Sequence, residues 1–147
     1  MPSIDRTLLE EIVRKVIAEQ MTTAKHVDPS GVASVKLPLL DVSEEDRLDT
    51  GKVGDVVYCK DLFTLGESPR LGCGLMFMRD TTFDWTLQYD EIDYVISGQL
   101  DIHIDGRTVS AGPGEIILIP KGSSIQFSVT GESRFVYVTY PADWADQ

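Results

Sequence analysis

Short segments rich in apolar residues recur almost regularly from Val53 to the end of the chain, and turn residues separate them. The turn Asp105-Gly106 lies between two alternating segments and is a strong signal for a two-residue hairpin. Further turn signals occur at Gly112-Pro113-Gly114 and Pro120-Lys121-Gly122. The sequence thus predicts strands at 54–60, 71–79, 83–89, 91–97, 99–104, 107–110, 115–119, 124–129 and 134–140. So many short antiparallel strands predict an all-β sandwich or a small barrel.

The N-terminal segment has a different periodicity. Residues 4–21 carry apolar side chains at helical spacing, which predicts an amphipathic α-helix with Ser3 as its N-cap. An isolated helix of this length is marginal in water, so its apolar stripe needs a partner. That partner is the chain's own barrel, a second subunit or a groove on another protein. The stripe consists of Ile4, Leu8, Leu9, Ile12, Val13, Val16, Ile17 and Met21.

A small, polar segment with Pro29 and Gly31 follows the helix and predicts a linker. Pro38 limits the next apolar segment to an edge strand at best. We therefore divide the 147 residues into four parts. These are a docking helix at 1–22, a linker and edge segment at 23–50, a barrel at 51–141 and a tail at 142–147.

The charge and composition exclude several classes of protein. A net charge of −11 argues against a nucleic-acid binder, which needs a basic surface for phosphates, and against an anionic membrane surface. The apolar segments are too short to span a bilayer, and the N-terminus lacks the features of a secretory signal. Cys59 and Cys73 have no metal-binding spacing. These features predict a soluble cytoplasmic protein.

Two spacings in the strand-rich region resemble the sequence motifs of the cupin superfamily. Glu91 is followed after six residues by Gly98, and Gly114 is followed after five residues by Pro120-Lys121-Gly122. The resemblance covers residues from about 51 to 140 and implies a double-stranded β-helix, or jelly-roll barrel. It departs from the family at the metal ligands. No histidine stands at positions 84–87, and the position of the third histidine holds Ile125. We therefore expect no iron, zinc or manganese of the cupin type.

Longer runs resemble the EutQ family of ethanolamine-utilisation proteins. They are FDWTLQYDEIDYVISGQLDIHIDGR, IPKGSSIQF and RFVYVTYPADW. This resemblance implies association with a bacterial microcompartment. It also implies acetate kinase activity, which interconverts acetate plus ATP with acetyl phosphate plus ADP. Proteins of such compartments carry short amphipathic helices that dock to shell or core proteins, and residues 4–21 resemble one.

Strand geometry selects the candidate site residues. Side chains two apart share a face, so an inward Glu91 predicts that Asp93, Tyr89 and Trp85 also point inward. A bulge near 89–90 would bring Asp84 inward instead of Trp85, and the spacing leaves both alternatives open. We predict Tyr89, Glu91 and Asp93 as catalytic residues.

Two carboxylates on one inward face are costly unless they are paired or bind a cation. Their oxygen ligands suit Mg²⁺ held together with ATP or ADP, and Glu91 and Asp93 are the predicted ligands. A shared-proton hydrogen-bond network is the alternative. Because the sequence has no Walker-type phosphate loop, Lys121 and Arg134 are the predicted phosphate contacts. The remaining predicted substrate contacts are Asp84, Trp85 and Tyr137.

Two other functions compete with the kinase. The first is a non-enzymatic assembly factor that docks through its N-terminal helix. The second is a metal-free cupin that binds a small carboxylate. In each case we expect a homodimer, because the strand edges of a short barrel favour pairing with a second copy.

Overall fold

The structure is a computed structural model that describes residues 5–146, and for residues 17–23 it describes only the backbone. The chain forms two compact units, with the boundary between Asp41 and Val42. This division differs from the predicted one, in which the linker ran from 23 to 50.

The first unit begins with helix α1, Arg6–Ala24. Asp5 is its N-cap, because the Asp5 carboxylate accepts a hydrogen bond from the Thr7 backbone N–H at 2.9 Å. The predicted cap Ser3 lies outside the described residues. The apolar stripe is 47–54% exposed at Leu8, Leu9, Ile12, Val13 and Val16. No helix in the part of the chain that the structure describes is long and apolar enough to cross a membrane.

The predicted linker contains regular structure. Strands β1, Lys25–Val27, and β2, Ala33–Val35, pair as an antiparallel hairpin. The Asp28 carboxylate accepts a hydrogen bond from the Ser30 backbone N–H at 2.8 Å and closes the turn. Short 3₁₀ turns follow at Leu37–Leu39 and Glu44–Asp46. The polar composition indicated the turn but concealed the two short strands beside it.

The second unit is a single seven-stranded antiparallel sheet that surrounds an apolar core. Its hydrogen-bonded order is β3-β4-β9-β5-β8, and β6 pairs with both β7 and β9. The strands are β3 Val56–Asp61, β4 Gly72–Thr86, β5 Asp90–Ser97, β6 Leu100–Ile104, β7 Arg107–Ala111, β8 Ile116–Ile119 and β9 Ser124–Tyr140. A last 3₁₀ turn spans Trp144–Asp146.

Two predicted pairs of strands are continuous. Segments 71–79 and 83–89 merge into β4, and 124–129 and 134–140 merge into β9. The register shifts between Arg79 and Thr81, where Asp80 has a φ of 41°. The Asp80 carboxylate accepts a hydrogen bond from the Gly131 backbone N–H at 2.6 Å. The bulge shifts the alternation along β4, so Met76 and Met78 point inward before it and Phe83 and Trp85 point inward after it.

Candidate functional site

Strand β5 carries the two predicted carboxylates on its inner face. Glu91 is 5% exposed and Asp93 is fully buried, whereas their neighbours Asp90, Ile92 and Tyr94 are exposed. The predicted inward orientation of Glu91 and Asp93 is confirmed. Strand β9 supplies the facing residues, since Glu91 pairs with Thr139 and Asp93 pairs with Tyr137.

A small cavity, here called the aromatic cup, lies beside Glu91 at one end of the barrel. The volume open to the centres of water molecules is about 20 Å³. A site of that size holds about one water molecule. Six aromatic rings contribute to its wall, and Glu91 is its charged residue. The lining residues are Leu48, Cys59, Met76, Phe83, Trp85, Tyr89, Glu91, Phe127, Tyr137 and Trp144.

Trp85 and Tyr89 form a hydrogen-bonded pair in the wall of the cup. Trp85 Nε1 donates to Tyr89 Oη at 2.8 Å, so the hydroxyl hydrogen of Tyr89 is left to donate to another acceptor. Asp84 is exposed and accepts a hydrogen bond from Gln126 Nε2 at 2.8 Å. The alternative with Asp84 inward is therefore wrong, because the bulge lies at Asp80 and the alternation after it turns Trp85 inward.

Tyr137, a predicted substrate contact, is buried and lines the cup, and its hydroxyl donates to Asp61 Oδ1 at 2.9 Å. Gly74 makes room for this ring. A methyl group on Gly74 would collide with the Tyr137 ring and hydroxyl. The glycine opposite Tyr137 therefore helps to set the position of the ring in the cup.

The carboxyl pair has unsatisfied oxygens. Glu91 Oε2, Asp93 Oδ1 and Asp93 Oδ2 are buried without a hydrogen-bond partner in the part of the chain that the structure describes. Burial raises the pKa of Glu91 to about 7. Burial and, after it, the charge of Glu91 raise the pKa of Asp93 well above its ordinary value. Asp93 therefore holds a proton near neutral pH, and Glu91 is about half ionised.

The other titratable groups around the pair are neutral. Burial is the main cause that raises the pKa of Cys59, Tyr89 and Tyr137, and the charge of Glu91 adds to each shift. A protonated thiol is a poor nucleophile. Cys59 is thus part of the wall and not a reactive group.

Trp144 closes the cup, although no motif or periodicity in the sequence predicts a residue there. Its ring centroid lies 5.9 Å from that of Tyr89, 6.1 Å from Tyr137 and 6.3 Å from Trp85. Trp144 lies in the segment 142–147, for which the sequence predicts a tail. The signal that could have revealed a role is the presence of a tryptophan in an otherwise polar terminus.

The two predicted phosphate contacts lie in different places. Lys121 is exposed in the turn after β8, and its backbone N–H donates to Asp90 Oδ1 at 2.8 Å, next to the start of β5. Arg134 lies between buried Ser133 and Phe135 on β9, so its side chain is on the outer face of the sheet. Arg134 therefore does not share the inner face with Glu91 and Asp93, and its contact with phosphate remains a prediction.

Glu91 and Asp93 do not fit the predicted magnesium site. Mg²⁺ requires six oxygen ligands in near-octahedral geometry and usually keeps several waters. Three of the pair's oxygens are enclosed by protein, and the cup has room for about one water. No group of three or more His, Cys, Asp or Glu side chains that could hold a metal occurs among the described residues. The pair is better described as two buried carboxyls whose pKa values are both raised by burial.

Comparison with known structures first defines the fold. A cupin superfamily protein from Desulfitobacterium hafniense aligns with 74% of this chain and 90% of its own, with a TM-score of 0.55 and 15% sequence identity. At that identity the match shows the fold alone. The chain is thus an all-β cupin with an N-terminal helix, as the sequence predicted.

Closer relatives then define the family. The family model for "Ethanolamine utilisation protein EutQ" matches residues 4–146. A protein named "Acetate kinase EutQ" from Clostridioides difficile is 63% identical over 152 aligned positions, which cover 99% of this chain and 97% of the relative. One from Escherichia coli is 43% identical over 94% of this chain, which spans 61% of that relative. The solved structure of the Clostridium difficile EutQ protein covers 84% of this chain and 90% of its own, with a TM-score of 0.83 and 71% identity. The chain belongs to the EutQ family, and the predicted family is confirmed.

Proposed function

We propose that this protein is an acetate kinase. The observation that carries the proposal is the 63% identity, over nearly the full length of both chains, to a relative that bears this name. In the reaction, an acetate oxygen forms a bond to the γ-phosphorus of ATP, and the bond from that phosphorus to the bridging oxygen of ADP breaks. The products are acetyl phosphate and ADP. Acetate attacks as a carboxylate, so the step requires positioning and charge stabilisation rather than a strong base.

The size of the cup limits where each substrate binds. A nucleotide cannot enter a cavity that holds about one water molecule, so ATP binds outside the cup, and acetate approaches its mouth. Magnesium enters this proposal only as part of the MgATP substrate. Lys121 is the candidate contact for the phosphates, because it is exposed in the turn that contacts Asp90, next to Tyr89.

Tyr89, Glu91 and Asp93 are the proposed catalytic residues, of which Tyr89 and Glu91 line the cup and Asp93 is buried behind Glu91. Tyr89 Oη accepts from Trp85, which directs the hydroxyl hydrogen of Tyr89 to another acceptor, and we assign an acetate oxygen as that acceptor. Glu91 in its protonated form is a second donor, and the proton held by Asp93 limits the negative charge behind it. Two donors at one carboxylate would orient acetate for attack.

An assay of acetyl phosphate formation from acetate and MgATP tests the kinase. We expect activity in the purified protein and a loss of at least about tenfold in kcat/KM for Tyr89→Phe, which removes one positioned donor. Tyr94→Phe is the matched control, since Tyr94 is exposed on the outer face of β5 and is not among the residues that line the cup. No activity in the wild-type protein would refute the kinase. Full activity in Tyr89→Phe would refute only the role of Tyr89.

We also propose that α1 docks the protein to a shell or core protein of a bacterial microcompartment. The support is the exposed apolar stripe of α1 and the membership in an ethanolamine-utilisation family. The test uses a fluorescent fusion of this protein in cells that make these compartments. We expect the wild-type fusion to form foci at the compartments, Val13→Glu to spread it through the cell, and Glu11→Gln on the polar side of the helix to leave the foci intact. Kinase activity should be equal in the two variants. If Val13→Glu leaves the foci intact, the stripe is not the docking surface.

A further inference from the structure

We propose that the aromatic cup is a binding site for a small primary ammonium cation, with Glu91 as its anionic partner. The cation would occupy the cup beside Glu91, which does not fit Mg²⁺. The inference concerns the same site as the proposed kinase reaction but does not depend on that activity.

The charge of the cup points to a cation. Glu91 is 5% exposed and is the charged side chain among the residues that line the cup. Its enclosed oxygen Oε2 and both oxygens of Asp93 behind it have no hydrogen-bond partner in the described part of the chain, so no protein donor at these atoms offsets the charge of the pair. No lysine, arginine or histidine is among the residues that line the cup. An ammonium ion in the cup would supply positive charge and N–H donors to the Glu91 carboxylate.

The walls of the cup suit the same ligand. Trp85, Tyr89 and Tyr137 surround Trp144 with ring centroids 5.9–6.3 Å from it. The electron-rich faces of such rings attract alkylammonium ions, most strongly where water is excluded. An aromatic enclosure with a carboxylate at its floor therefore favours an organic cation over an anion or a strongly hydrated metal ion.

The size of the cup sets the class of cation. An ammonium group is about as large as the single water for which the cup has room. An attached alkyl group would lie towards Trp144, where the wall is a short turn rather than a strand. Trp144 in that turn is only partly buried, so the turn can yield to a methyl or ethyl group. A quaternary ammonium ion is too large and has no N–H donor.

The proton on Glu91 makes binding depend on pH. The groups that face Glu91 are Cys59 on β3, Tyr89 just before β5, Asp93 on β5 and Tyr137 on β9, with Asp61 bonded to Tyr137. Burial keeps the thiol and both phenols neutral, and Asp93 retains its proton. Glu91, with a pKa of about 7, is therefore the group that must lose a proton when the cation binds. Acetate is proposed to contact the protonated form of Glu91, whereas the cation binds the ionised form. The two ligands therefore do not bind Glu91 at the same time.

Titration calorimetry with ethylammonium chloride tests the site in the full chain at constant ionic strength. We expect binding at pH 8 to be about tenfold tighter than at pH 6, because the ionised fraction of a group with a pKa of about 7 changes about tenfold over that range. The heat at pH 6 should vary with the ionisation enthalpy of the buffer, which reports the released proton. Potassium chloride and tetramethylammonium chloride should bind at least tenfold more weakly.

Variants locate the site. Glu91→Gln is nearly isosteric and removes only the charge, and it should abolish binding, whereas Glu45→Gln on the exposed surface should not change it. Trp144→Ala should weaken binding at least fivefold, and Trp144→Phe should retain it. Thermal unfolding of each variant shows whether it is folded. Three results would each overturn the proposal. They are equal binding of ethylammonium to Glu91→Gln and to wild type, equal binding of potassium and ethylammonium to wild type, and no heat of binding at pH 8 with ethylammonium at concentrations on the order of 10 mM. An inactive kinase that still binds ethylammonium would refute the proposed reaction and leave this site standing.

Discussion

At the scale of single residues, the buried Glu91 carboxyl links stability to pH. Its pKa is raised from 4.5 to about 7 by burial, so the folded state binds this proton more tightly than the unfolded chain does. The free energy of unfolding must therefore fall as the pH rises from about 4.5 to about 7 and level off above that. A shift of this size corresponds to about 3 kcal/mol.

Glu91→Gln isolates this effect, because the variant cannot ionise. We expect the unfolding free energy of Glu91→Gln, relative to wild type, to rise by about 3 kcal/mol between pH 5 and pH 8. Urea unfolding at several pH values measures it. Glu45→Gln is the control, and its difference from wild type should stay within about 0.5 kcal/mol. A flat difference for Glu91→Gln would mean that Glu91 is ionised in the folded protein throughout this range.

The sequence predicted the inner carboxyls but not the whole wall around them. Once one spacing placed Glu91 inward, the two-residue period of a strand fixed the orientation of Asp93 and supported those of Tyr89 and Trp85. Trp144 could not be found in this way, because it belongs to a terminal turn with no period. Its position follows from long-range packing.

At the scale of elements, the sequence was enough to place most strands, but it did not show that β4 and β9 are each continuous. The turn signals predicted the separate strands β5 to β8 within one or two residues at each end. β4 and β9 were each predicted as two strands, because polar residues interrupt their apolar pattern. In the structure these residues form the bulge around Asp80 and Gly131, where the backbone bends but the pairing continues.

The glycine of the Glu91-to-Gly98 spacing has a structural reason. Gly98 has a φ of 74°, and an added methyl group would collide with the carbonyl oxygen of Glu132 and lie 2.8 Å from Ser133 Cα. We expect Gly98→Ala to lower the free energy of unfolding by more than about 2 kcal/mol, from the positive φ and the collision together.

Gly66→Ala is the matched control for that change. Its added methyl group would meet nothing closer than Thr64 Oγ1 at 3.8 Å. Urea unfolding of the two variants compares them directly, and the control should differ little from wild type. Equal stabilities would show that the turn at Gly98 relaxes to accept a side chain, and the spacing would then have another cause.

At the scale of the whole molecule, the sheet has two faces with different roles. The inner face holds the core and the aromatic cup, whereas the outer face of β5 and β8 exposes a patch of apolar side chains. Ile92 pairs with Leu118, and Tyr94 pairs with Ile116, so the four side chains are contiguous. Each is 43–63% exposed. β8 is the last strand in the hydrogen-bonded order, so this patch borders the edge of the sheet.

We propose that a second copy of the chain covers this outer patch. A patch that runs to a strand edge can pair with its own copy about a two-fold axis, which buries both the apolar side chains and the edge. We expect light scattering to give twice the mass of one chain for the wild type and a single chain's mass for Leu118→Glu, which places a charge in the patch. Val109→Glu is the control, because Val109 is 50% exposed on β7, outside the patch. If wild type and Leu118→Glu have the same mass, the patch is not a dimer interface, and it would then be free for a partner of another kind.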